Sequence, residues 1–269
     1  MSGKVIVVAD ASSGLGWASA AALALAGNTV YASLRDVTGR NAARVETAAQ
    51  FAKDNGVELR TVEMDVQSTA SVNAAVDRIF NANGRIDVVV QNTARTSFGP
   101  AEAFTADQLS EDYDVNVVST QRMNRAVLPH MRRRRCGLLV WVSCTTPAGG
   151  TPPYLAPYFA AKAAMDSLAV GYARELTRWG IETSIIAATV TGDHIAQAGT
   201  PTDRAVVLDY EEGLCAGVAA QVRGVFATSA AVQAPKVVEA LVGVVDAPFG
   251  KRPFHVHIDG ADVGSGVRS

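Results

Sequence analysis

The stretch Lys4-Val-Ile-Val-Val-Ala-Asp-Ala-Ser-Ser-Gly-Leu-Gly16 decides the fold of this 269-residue chain. Residues 4–9 are a short β-branched apolar run, the pattern of a buried strand. Ser12-Ser13-Gly14-Leu15-Gly16 then makes a glycine turn, and residues 17–26 read as a helix. Glycines at such a turn let the backbone approach a pyrophosphate, and the helix N-terminus favours an anion. The hydroxyls of Ser12 and Ser13 add donors. The other reading of the same residues is a tight turn packed on a sheet.

Working outward, strands and helices alternate. Strands are expected over 29–34, 58–64, 87–91, 138–142, 182–187 and 254–258. Helices are expected over 41–55, 71–81, 106–131, 158–179 and 236–245. Residues 191–233 are rich in Gly, Ala and Thr and carry no clear period. The alternation predicts an α/β fold: one doubly wound, Rossmann-like parallel sheet with helices on both faces, as a single domain over 1–269. In such a sheet ligands bind at the carboxyl ends of the strands, beside the point where strand order reverses.

Composition narrows the function classes. The formal net charge is -2 and 48% of residues are hydrophobic. Nothing in this points to nucleic acid, and the one basic run, Arg132-Arg133-Arg134-Arg135, reads as a solvated turn between a helix and a strand. The three cysteines, Cys136, Cys144 and Cys215, lack metal-ligand spacing and form no disulfide framework, which fits a reducing cytoplasm. No signal peptide and no apolar run long enough for a bilayer are expected. His255 and His257 alternate on the last strand without a visible third ligand and read as structural. His194 reads as a solvated loop residue.

Two further places carry chemistry. Tyr158-Phe-Ala-Ala-Lys162 places a phenol and an ammonium one helical turn apart, on one face. The positive charge is expected to lower the phenol pKa and make Tyr158 a proton donor or acceptor. The alternative is an amphipathic helix with the aromatic inside and the lysine in solvent. The second strand ends Ser33-Leu34-Arg35-Asp36, and an arginine there accommodates a 2′-phosphate, so NADP(H) is favoured over NAD(H). Arg35 paired with Asp36 at the surface is the bland alternative. Asp65-Val66, after the third strand, suits an adenine contact or a turn cap.

At this point the chain resembles the short-chain dehydrogenase/reductase family, in its NADP-preferring form. The resemblance runs from residue 4 to about 190, through Ser12-Ser13-Gly14-Leu15-Gly16, Asp65-Val66, Asn92, Asp114-Val115-Asn116-Val117 and Tyr158-Phe-Ala-Ala-Lys162. It implies that Tyr158 is the acid/base and that Lys162 lowers its pKa and holds the nicotinamide ribose. Asn116 would stabilise a bend in the long helix and anchor a relay water. NADP(H) would exchange a hydride with a carbonyl or alcohol of a small-molecule substrate. Residues 191–233 would form a substrate lid. The helices over 106–131 and 158–179 would build a homotetramer or homodimer.

Several family positions are altered. Asp10 replaces the first loop glycine, and Asn92-Thr93-Ala94 replaces Asn-Ala-Gly. Ala188-Thr189 stands where the family has Pro-Gly. The catalytic serine falls on Cys144 counted from Gly137, or on Thr145 counted back from Tyr158, with Ser143 adjacent. These changes leave a second hypothesis open: the same scaffold with altered or lost redox function, as a lyase, cyclase or isomerase using Tyr158, or as a binding pseudoenzyme.

Overall fold

Seven parallel strands form one sheet in the order β3-β2-β1-β4-β5-β6-β7. The computed structural model describes residues 3–144, 151–190, 192–226 and 230–258. The strands are β1 (Val5–Val8), β2 (Thr29–Leu34), β3 (Leu59–Glu63), β4 (Val88–Gln91), β5 (Gly137–Cys144), β6 (Ile181–Ala188) and β7 (His255–Ile258). The order reverses between β1 and β4, so the crevice expected for a ligand opens beside those two strands.

Alternation along each strand divides the core between the two faces. Val5, Val7, Leu139, Trp141 and Ile185 face one cluster. It is covered by α3 (Thr69–Asn83), α5 (Ser119–Arg134) and α6 (Ala156–Leu176). Ile6, Val8, Leu138, Val140 and Ile186 face the other. That one is covered by α1 (Gly14–Leu25), α2 (Ala42–Asn55) and α10 (Ala230–Asp246). Burial on both sides explains why β1 and the first three residues of β4 are an unbroken valine and isoleucine run with no polar alternation.

Three differences from the sequence reading matter for function. The expected single helix over 106–131 is α4 (Ala106–Tyr113), a π-helical turn (Asp114–Val118) and α5. Hydropathy periodicity does not register a one-residue π insertion. Part of the unassigned 191–233 stretch forms α7 (Gly192–Ala196), α8 (Arg204–Glu212) and α9 (Val218–Phe226). These are short helices whose buried residues, such as Val207 and Val222, are too few to give a period. The basic run is helix rather than turn: Arg132 to Arg134 form the last turn of α5, where cations suit the helix dipole, and Arg135 is its left-handed cap.

Candidate active site

The glycine loop is held by its own polar groups. Asp10 adopts φ 55, the left-handed conformation that glycine takes most easily. Aspartate is one of the residues that tolerate it, so the loop keeps its path. Ser12 Oγ donates to Asp10 Oδ1 at 2.5 Å, which ties the carboxylate into the loop. Ser13 caps α1, its Oγ accepting from the Gly16 amide at 3.0 Å. Both hydroxyls are thus engaged within the loop, and the backbone N–H groups opening α1 are what an anion would meet. Asn92 Nδ2 donates to the Asp10 carbonyl at 3.1 Å, clamping the loop to the end of β4. A Cβ on Gly14 would meet nothing within 4 Å, whereas one on Gly16 would lie 2.2 Å from the Asp10 carbonyl oxygen. Gly16 therefore permits close packing, and Gly14 leaves open space over the loop.

A cleft of about 730 Å³ runs from this loop to Tyr158. Along its near wall lie Arg35 and Arg40, both exposed, with no ion-pair partner among the described residues. Asp36 does not pair with Arg35. Its own φ is 53, its Oδ2 accepts from the Arg40 amide at 2.9 Å, and its carboxyl packs over Gly39. That turn folds Arg40 back beside Arg35. Arg40 was not singled out in the sequence, where the only sign of it was the Asp36…Gly39 turn. Asp65 caps its turn, Oδ1 accepting from the Gln67 amide at 3.0 Å, and with Val66 it lines the cleft.

At the far end α6 carries Tyr158 and Lys162 into the protein. Tyr158 is 4% exposed and Lys162 2%. Lys162 is therefore no solvated surface lysine. Its ammonium donates to the Thr93 carbonyl at 3.3 Å and lies 6.0 Å from the Tyr158 ring. Burial lowers its pKa from 10.5 to about 8. The same burial pushes the Tyr158 phenol well above its ordinary value, and the neighbouring Cys144 adds to this. The expected lowering by Lys162 is not found: desolvation first, then Cys144 and Asp166, all raise the phenol pKa, so Tyr158 is held as a phenol.

Cys144, at the end of β5, shares a hydrogen bond with Tyr158, and its thiol is pushed up to about 11, chiefly by burial. It stays a neutral thiol. Ser143, the preceding residue, is buried and faces Asp166 on α6. Thr145 lies outside the described residues. Of the two described serine-position candidates, Cys144 is the one that meets Tyr158.

Asn116 sits in the π turn, fully buried. Its Nδ2 donates to the Arg95 and Asp112 carbonyls, both at 2.9 Å, and its Oδ1 accepts from the Arg95 amide at 3.1 Å. The side chain holds the turn against the 92–97 segment. Arg95 in turn bridges Glu111 and Asp112, and Ser97 donates to Asp112 at 2.5 Å. This network is a rigid cleft wall. Ala94, Ala188, Thr189, His194 and Gln197 also line the cleft. His194 is half-buried on α7, so it belongs to the cleft rather than to a solvated loop.

Apolar residues close over Tyr158. Phe98, Tyr154, Leu155, Phe159, Val190, Ile195, Val222 and Phe226 form one cluster with it. Ile195, Val222 and Phe226 come from α7 and α9. Among the described residues no group of three His, Cys, Asp or Glu can hold a metal ion. No described helix is long and apolar enough to cross a membrane.

Burying Lys162 has a measurable cost. Its folded pKa is below the unfolded one, so the penalty is complete below about pH 8 and is relieved as pH rises toward 10.5. A shift of that size corresponds to on the order of 3 kcal/mol. Lys162→Met is expected to raise the thermal midpoint at pH 7 by several degrees, with the gain shrinking above pH 8; scanning calorimetry at pH 7 and pH 10 measures it. An unchanged midpoint at pH 7 would contradict a desolvated ammonium.

The comparisons with known proteins bear on the family and the fold. The family model described as short chain dehydrogenase matches residues 4–204. Estradiol 17-beta-dehydrogenase 1 of Rattus norvegicus is 35% identical over 191 residues, covering 69% of this chain and 54% of its own length. The 17-beta-hydroxysteroid dehydrogenase type 1 of Homo sapiens is also 35% identical, covering 69% and 56%. The chain spans about half the length of these curated relatives. A short-chain dehydrogenase from Streptomyces avermitilis superposes with a TM-score of 0.76 at 25% identity, over 96% of this chain and 89% of that one. With three-quarters of its length under that family model, and its fold shared with a solved short-chain dehydrogenase, the chain belongs to the short chain dehydrogenase family.

Proposed function

We propose that the protein is an NADP(H)-dependent oxidoreductase that reduces a small or mid-sized apolar carbonyl compound, with Tyr158 as the acid. One observation carries this reading. A single cleft joins a glycine loop and two unpaired arginines at one end to a buried Tyr158–Cys144–Lys162 group at the other. The loop suits a pyrophosphate, and Arg35 with Arg40 suits a 2′-phosphate that Asp36 is turned away from. The nicotinamide supplies the hydride when it is bound.

The chain's own residues handle binding and the proton. Tyr158, kept as a phenol by burial, gives its proton to the carbonyl oxygen in the reduction. Cys144 supplies a weak S–H donor where the family has a serine. Lys162 holds positive charge beside the phenolate that forms, which stabilises it as charge develops. The apolar cluster around Tyr158 excludes water and suits an apolar substrate, in keeping with relatives named as hydroxysteroid dehydrogenases. The segment 191–233, with α7 to α9, acts as the lid over this pocket. A homodimer or homotetramer built on α4 to α6 in a reducing cytoplasm completes the proposal.

Titration of the purified protein with NADPH, followed by fluorescence or calorimetry, tests it. Binding in the micromolar range is expected, and absence of binding at millimolar NADPH would end the oxidoreductase reading. The non-redox alternative has one observation in its favour, the Asp10 carboxylate lining the cleft where an anion would lie. Its hydrogen bond from Ser12 reduces that conflict. The double change Arg35→Ala with Arg40→Ala is expected to weaken NADPH about 10- to 100-fold, the worth of charged hydrogen bonds, and to leave NADH little changed. Equal loss for both cofactors would remove the 2′-phosphate assignment.

A further inference from the structure

Behind the Tyr158–Lys162 pair lies a second set of polar groups with no part in the chemistry above. Asp166 is one turn beyond Lys162 on α6, on the same face. Its Oδ1 is buried and has no hydrogen-bond partner. Ser143 Oγ is buried on β5 and acts on this carboxyl through a side-chain hydrogen bond, while His255 Nε2 on β7 is buried without a partner. Strand register brings the groups together. Ser143 pairs with Ala187 and Ala187 with His257, so the three lie in one row across the sheet. His255 stands two residues before His257 on the same side of β7, their rings 4.8 Å apart. β7 is the edge strand, and His257 is exposed there.

Buried polar atoms are costly unless they are hydrogen-bonded, so Asp166 Oδ1 and His255 Nε2 each call for a partner, which a bridging water supplies. We propose that Asp166, with His255 and His257, forms a water-bridged proton route from the open edge of the sheet to Lys162, making Asp166 a positioning and proton-transfer residue of this site. The inference rests on the acid role of Tyr158 proposed above. When Tyr158 gives its proton to the substrate oxygen, the phenolate recovers one from the Lys162 ammonium. Lys162 is refilled from the Asp166 side, and solvent replaces that proton through His257 and His255. One solvent proton enters for each proton placed on product. The groups facing Asp166 are Lys162 on its own helix, Ser143 on β5 and the two histidines on β7. Burial raises the Asp166 pKa, which suits a group that both takes and gives protons.

The test is histidine NMR on the labelled full chain, without substrate. The four histidines are assigned by single His→Gln changes. Two results are expected. Asp166→Asn lowers the His255 midpoint by about half a pH unit or more, as loss of a nearby negative charge requires, and Asp166→Glu restores it. The His255 resonance also shows a second inflection near pH 8, from Lys162, that is absent in Lys162→Met. A His255 titration unchanged in folded Asp166→Asn, or lacking the inflection near pH 8, overturns the route. If Asp166→Asn does not fold, the inflection decides alone. NADPH titration of the same samples separates this result from the cofactor reading: failure to bind NADPH removes the oxidoreductase proposal without moving either histidine result.

Discussion

Tyr158→Phe removes turnover while leaving NADPH binding in place. The phenol is buried and touches the Cys144 thiol, so removing one oxygen changes the packing little. It does remove a phenol proton that burial holds in place at the end of the cleft. General-acid steps contribute about 10²- to 10⁴-fold, and a loss in kcat of that order is expected. The measurement is the rate of NADPH oxidation with an apolar ketone, beside a binding titration of the same variant. Retained turnover takes Tyr158 out of the acid role. Loss of both turnover and binding points instead to a collapsed site.

Gly16→Val destroys the cofactor end of the same cleft. Any Cβ at this position lies 2.2 Å from the Asp10 carbonyl oxygen and 2.7 Å from Asn92 Nδ2, and the first of these is backbone that cannot move aside. The Asn92 clamp and the Ser13 cap both depend on that approach. A fall in NADPH affinity of more than about 100-fold is expected, with about 1–3 kcal/mol of stability lost to overpacking. Gly14→Ala separates the two effects. Its methyl enters open space, so stability is expected to hold while NADPH binding weakens, because the methyl occupies the ground a pyrophosphate would use. Full stability and affinity in Gly16→Val would mean that the loop does not pack as described. Calorimetry with and without NADPH reads both quantities.

Much of the architecture was legible in the chain because parallel strands buried on both faces write themselves as apolar runs. Val5-Ile-Val-Val8 and Val88-Val-Val-Gln91 can hardly be anything else between helical periods. Boundaries moved by several residues, as at α3 and α10, because a terminal turn adds too few buried positions to register as periodicity. The π turn at Asn116 was hidden, since one inserted residue shifts the helical phase without changing composition. The short helices α7 to α9 were hidden for the opposite reason, too few buried residues each to set a phase.

For the site, the sequence by itself determined which groups share an element: Tyr158 with Lys162 on one helix face, the glycine loop after β1, Arg35 at the end of β2. Spacing along a helix or strand is local geometry, and local geometry is fixed by the backbone alone. Only the tertiary structure decided what those groups are chemically. It buried Lys162 and Tyr158 together, so desolvation rather than attraction sets their proton affinities. It turned Asp36 into its own loop and brought Arg40 back beside Arg35. It placed Cys144 against Tyr158, and Asp166 near two histidines more than eighty residues away in the chain. Burial and long-range proximity are sums over contacts between distant segments, and no local pattern in the chain encodes them.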